Sequence, residues 1–153
     1  MKETIELARK GQINSDASIK DQHSIIIQAP IDKVWKIITE VTKWKDWNPQ
    51  VKHLVAQQEI QLGSTFQWKI GRMSATSQVQ LMDKPHAFAW SGKSTLVKRI
   101  YVWTLEADDD QTIATLGTSL QGLFTVWVEN HRSVYQEIHN WLDCLKSEAE
   151  KDG

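Results

Sequence analysis

No catalytic set is defined by the sequence; the two side chains whose chemistry and spacing make them candidates for proton transfer are Tyr101 and His131. Tyr101 stands in the alternating run LVKRIYVWTLEA, which puts Arg99, Tyr101, Trp103 and Leu105 on one face of a strand. Its ring fills space and its hydroxyl can address a ligand carbonyl. His131 recurs with Trp127, Val134, Ile138 and Trp141 at helical spacing, so it is expected on an apolar helix face. There a core histidine hydrogen-bonded to a strand is the favoured reading, and a polar anchor or general acid/base is the functional alternative. Arg99 is costly inside a protein unless paired. A ligand carboxylate, Glu106 or solvent could meet it, and solvent at a cavity mouth is the expectation.

Other chemistries find no support. Asp108, Asp109 and Asp110 lack the alternating ligands and glycine of a calcium loop and read as a charged hairpin turn. Asp46 reads as a solvated helix-end carboxylate. His131 and His139 are not adjacent on a helix, and His23, His53 and His86 lie in separate segments, so no metal site and no cofactor are expected. Cys144 has no CxxC partner and no neighbour that would activate a thiol. GxSxG, P-loop and GxGxxG motifs are absent, which argues against the commonest hydrolases, NTPases and dinucleotide enzymes.

The net charge of −1 favours neither a phosphate backbone nor an anionic membrane surface, so nucleic acid is not an expected partner. With one cysteine and no apolar leader or membrane-length run, the chain reads as cytoplasmic, without stable membrane insertion, and as a monomer or homodimer. Eight tryptophans against two tyrosines and three phenylalanines are unusual. They suit either a Trp-rich core or the flat walls of a roomy pocket.

These residues need elements to position them. Residues 1–16 are polar and read as a short helical or loose arm; 17–153 read as one domain. Ile25–Ile27, stopped by Ala29-Pro30, is a first strand, and IDKVWKIITEV and TKWKDW make two short helices closed by Asn48-Pro49. From Val51 to Gly122 the period is two, giving six strands on short turns and an antiparallel meander. After Gly122 the period returns to 3.6, without proline or glycine, and predicts a helix of about 27 residues and about 40 Å. Trp44 and Trp47 are expected to pack the short helices onto the sheet.

Alternation assigns an inward face to Phe66, Trp68 and Ile70, to Val79, Leu81, Phe88 and Trp90, and to Arg99, Tyr101, Trp103 and Leu105. The last strand adds Ala114, Leu116, Thr118 and Leu120, and the helix adds Trp127, His131 and Val134. A straight helix on a curled sheet mates at one end and leaves a gap elsewhere. The same residues could fill a solid core, which composition and pattern alone favour.

The segment IIIQAPIDKVWKIITEVTKWKDWNPQV resembles the opening of the SRPBCC superfamily, which includes START lipid-transfer domains, polyketide cyclase/dehydrase-like proteins and birch-pollen-allergen-like proteins. The matching features are Ala29-Pro30, Val34-Trp35 and Trp44-x-x-Trp47-x-Pro49, then Gly63-Ser64 with Phe66-x-Trp68, and the ending Leu142 to Glu150. The likeness spans roughly residues 22 to 150. It implies an α+β helix-grip fold: a seven-stranded curved antiparallel sheet around a long C-terminal helix, with two short helices after strand 1. It also implies a pocket for a small hydrophobic or amphipathic molecule, lipid-like, aromatic or polyketide-like, lined by the inward residues above. A polyketide cyclase/dehydrase-type enzyme and a protein-interaction module like the chaperone activators of this fold are the alternatives. Where some bacterial relatives place a His and a Glu on the last two strands, this chain carries Tyr101 and Thr118.

Overall fold

The structure is a computed structural model that describes residues 2–71, 73–94, 97–122 and 130–151. Its elements run α1 (Lys2–Arg9), β1 (Ile19–Ile27), α2 (Ile31–Thr39), α3 (Trp44–Trp47), β2 (Val51–Ala56), β3 (Thr65–Ile70), β4 (Met73–Asp83), β5 (Ala87–Ser94), β6 (Val97–Asp108), β7 (Gln111–Gly122) and α4 (His131–Ala149). The seven strands form one antiparallel sheet in the order β1-β7-β6-β5-β4-β3-β2. Strands β2 to β7 are a meander. The helical crossover α2–α3 carries the chain from β1 at one edge to β2 at the other.

Turn chemistry sets the registers. Asp108 pairs with Gln111, so β6 and β7 join through Asp109-Asp110. Asp109 takes φ 55°, which a short polar side chain tolerates. Pro30 caps α2 at φ −69°, the value its ring fixes, in a position that needs no N–H.

The helix α4 begins at His131, after Asn130. Asn130 is extended, accepts from the Ser133 N–H at 2.9 Å, and donates its own N–H to Ser133 Oγ at 3.0 Å. This capping box satisfies first-turn donors and fixes the start of the helix. The helical reading of Leu123 to Glu129, Trp127 included, lies outside the described residues. The α4 stripe of Val134, Ile138, Trp141, Leu142 and Leu145 is buried on the inner face of the sheet together with α2 and α3.

The outer face is partly covered as well. Ala8 of α1 is fully buried against Ala89, Ile100 and Val102, with Leu7, Ile13 and Leu81 alongside. The turn after α1 fits closely: Gly11 has φ 69°, and a Cβ there would come 3.1 Å from Leu81 Cδ2. Asn14 N–H donates to Ser119 Oγ at 2.9 Å, and its amide nitrogen donates to Gln121. The polar N-terminal stretch is thus docked on the sheet.

Leu81 corrects the alternation. Val79 pairs with Trp90 but Leu81 pairs with Ala89, a bulge at Gln80. One extra residue reverses the faces beyond it. Met82, opposite Phe88, packs on the inner core, and Leu81 points outward to α1.

Candidate functional site

The inner face centres on an aromatic network. Trp44, from the start of α3, is fully buried and donates its indole N–H to the Ile38 carbonyl at 3.0 Å. Its ring lies 5.0 to 5.5 Å, centroid to centroid, from Trp90, Trp141, Trp68 and Phe66. Trp68 donates to Ser77 Oγ at 3.0 Å, and Trp90 stacks on Tyr101 at 4.8 Å. Trp103 joins through Trp141 at 6.1 Å. Rings therefore fill much of the space between sheet and helix. Trp44 and Trp47 are both buried, as packing of the short helices requires.

Into this network the fold sets one charged group. Arg99 of β6 is only 2 % exposed and Glu137 of α4 only 6 %. Arg99 Nη2 donates to Glu137 Oε1 at 2.8 Å, and Arg99 Nε donates to Thr118 Oγ1 at 3.0 Å. The second carboxylate oxygen accepts from the Tyr101 hydroxyl at 2.5 Å and from the Trp141 indole at 3.3 Å. The guanidinium carbon also lies 4.3 Å from the Tyr101 ring centroid, a cation–π distance. The Thr118 hydroxyl in turn donates a hydrogen bond to the Ile100 carbonyl at 2.8 Å. Strand register produces the cluster, because Tyr101 sits opposite Thr118 across β6 and β7. Helix spacing completes it, with Glu137 and Trp141 one turn apart.

Of the expected pocket residues, Phe66, Trp68, Ile70, Val79, Phe88, Trp90, Arg99, Tyr101, Trp103, Leu116 and Thr118 are all buried. Arg99 is not at a solvent-filled mouth and does not use Glu106. Among the described residues it pairs with a carboxylate on the facing helix. His131 is exposed, since it is the first residue of α4 and the buried stripe starts at Val134. It is not brought near Tyr101 as an inward group. Glu137 is the site residue that the apolar stripe hid; a carboxylate flanked by Val134 and Trp141 at helical spacing was the available signal.

Trp90 contributes a further feature. Its indole N–H is buried and has no hydrogen-bond partner among the described residues. At the edge of the sheet, His23 packs on His139 at 4.5 Å and on Tyr135 at 5.1 Å. Among the described residues no three metal-ligating side chains converge. Cys144 is half-buried, and burial followed by the Asp143 carboxylate pushes its thiol up from the ordinary value. No helix among the described residues is long and apolar enough to cross a membrane.

A curved seven-stranded antiparallel sheet gripping a C-terminal helix, with short helices after the first strand, defines the helix-grip class. The chain belongs to the family described as polyketide cyclase / dehydrase and lipid transport, whose model matches residues 18–150. No curated protein matches its sequence. Among solved structures it is similar to hypothetical protein jhp0584 from Helicobacter pylori, with 15 % identity and a TM-score of 0.78 over 92 % of this chain and 94 % of that one. It is similar also to the Zhui aromatase/cyclase from Streptomyces sp. R1128, with 18 % identity and a TM-score of 0.74 over 86 % and 93 % of the two chains. A START superfamily protein from Mycobacterium smegmatis gives 10 % identity and a TM-score of 0.71 over 86 % and 97 %. At these identities the likeness is one of fold.

Proposed function

We propose that the chain binds a small, largely apolar molecule with one polar oxygen function, in the space between the inner sheet face and α4. The Arg99–Glu137–Tyr101 group would address that function. The observation that carries the reading is the placement of this charged group inside an aromatic interior. Each buried ion costs several kcal/mol of desolvation, and apolar side chains of similar volume would hold the fold as well or better. Recognition of a polar ligand group gives the arrangement a purpose. The Trp90 N–H, without a hydrogen-bond partner among the described residues, adds a donor of the same kind. The family description, with its cyclases and lipid carriers, agrees with such a ligand. The rings already touch, so a guest would seat by displacing some of them, and tryptophan emission would report it directly.

The test is a fluorescence titration with a fatty acid, a flavonoid and a polyketide-like aromatic, alongside mass spectrometry of small molecules extracted from the purified protein. At least one class should give a saturable change. That change should be lost in Arg99→Met/Glu137→Leu and kept in His131→Ala. A flat response to all three, with nothing extracted, removes the reading.

A second reading, a cyclase or dehydrase, draws on the Tyr101–Glu137 contact. A phenol 2.5 Å from a buried carboxylate is suited to proton transfer, and the space between the sheet and α4 would hold a flexible chain in reactive geometry. Under it, Tyr101→Phe keeps binding but loses turnover of a poly-β-ketone substrate.

A further inference from the structure

On the opposite face of the sheet, beyond the area covered by α1, strands β2 to β5 form an open recess of about 670 Å³. We propose that this recess binds a phosphate group, free or as the ester of a small molecule, at a site separate from the aromatic interior.

Strand register brings lysines face to face. Lys52 of β2 is the direct partner of Lys69 of β3, and Lys93 of β5 is the direct partner of Lys98 of β6. Directly paired residues share a face with their Cβ atoms about 5 Å apart, where like charges repel. Antiparallel sheets normally relieve such positions with an opposite charge. Here none is supplied: none of the four lysines has an ion pair or a side-chain hydrogen bond among the described residues. Lys69 is nevertheless half-buried. Among the described residues no carboxylate lines the recess either, although the chain has 19 acidic residues against 18 basic ones.

What lines it instead suits an oxyanion. The same registers join Lys69 to Ser74, Gln67 to Thr76 and Thr76 to Lys93. Two ammonium groups, two hydroxyls and an amide thus surround the ladder between β3 and β4. His53 completes the rim at a break in the β2–β3 register, where it takes φ 52°. That conformation is uncommon for a residue with a Cβ, and bulges of this kind re-aim side chains next to binding sites. A concave site with point-charge lysines and short hydroxyl donors fits a compact dianion better than a flat macromolecular surface.

The experiment titrates inorganic phosphate and, separately, 1-naphthyl phosphate into the full chain. Ionic strength is held constant with sodium chloride, and binding is followed by NMR shifts and melting temperature. Lys69→Gln/Lys93→Gln is compared with the parent and with Lys33→Gln/Lys36→Gln on α2. Saturable binding at or below the order of 10 mM, weakened at least about tenfold in the β3/β5 variant and unchanged in the α2 variant, supports the site. Tighter binding of the naphthyl ester identifies an ester ligand, and equal binding identifies free phosphate. In chloride alone the β3/β5 variant should melt at or above the parent, since it relieves both facing pairs. No saturation by either probe, equal weakening in both variants, or binding of heparin without either phosphate overturns the proposal. A β3/β5 variant that melts below the parent in chloride overturns its like-charge premise.

Discussion

Removing Glu137 while leaving Arg99 in place isolates the energetic role of the buried group. In Glu137→Leu the guanidinium, 2 % exposed, keeps Thr118 but loses its carboxylate, and the Tyr101 hydroxyl and Trp141 indole lose the acceptor they share. Stranding one charge of a buried pair costs about 3–5 kcal/mol. Against a total stability of about 5–15 kcal/mol, that is a large share. For a chain of this length each kcal/mol moves the melting temperature by about 2–4 °C, so a fall of about 6–20 °C is expected. Adding Arg99→Met removes the other charge of the pair and should recover most of the loss, because an apolar replacement of the whole pair is often neutral or stabilising. Thermal and urea unfolding followed by circular dichroism measure all three proteins. A single variant that loses less than about 1 kcal/mol, in the range of an exposed pair, would refute the buried-charge reasoning. So would a double variant no more stable than the single one.

Two further predictions concern the helix that carries Glu137. Asn130→Ala removes the acceptor for the Ser133 N–H and should cost about 1 kcal/mol in urea unfolding, while Asn130→Ser should cost much less. Glu150 is held below its ordinary value of 4.5, first by the Gln28 backbone N–H at 2.8 Å and then by Lys146 at 2.5 Å. A lowered folded value means the contribution is present above 4.5 and is lost as the pH falls through the folded value. The parent should therefore melt above Glu150→Gln at about pH 6, and the gap should narrow steadily as the pH falls below 4.5; a gap that does not narrow in acid contradicts the linkage.

Much of this architecture was legible because burial enforces periodicity. Phe66, Trp68 and Ile70 alternate with exposed or half-buried neighbours, and all three lie on the core, as the period-two pattern requires. The change of period after Gly122 marked a helix on the inner face. The failures have local causes. Nothing in the residues around Gln80 announces a bulge, since neither glycine nor proline marks it, yet it moves Leu81 to the opposite face. Arg99 looked bound for solvent because its partner comes 38 positions later on another element. A stripe traced only through apolar residues passes over Glu137, and spacing alone placed His131 inside although its helix starts there. Docking of α1 was hidden for a related reason: it works through Ala8 and Leu7 within an otherwise polar stretch.

The pairing of β1 with β7 has a kinetic consequence. Ile19 meets Leu120, and Ile27 meets Thr112, across nearly the whole meander. During synthesis the first strand emerges long before β7, its neighbour in the sheet, exists, so its apolar residues wait without a mate. Contacts of such high sequence separation slow folding. Closure of this edge should accordingly be a late event, following assembly of the local hairpins from β2 onward, and the nascent chain is most exposed to misassociation through Ile25 to Ile27 until it occurs.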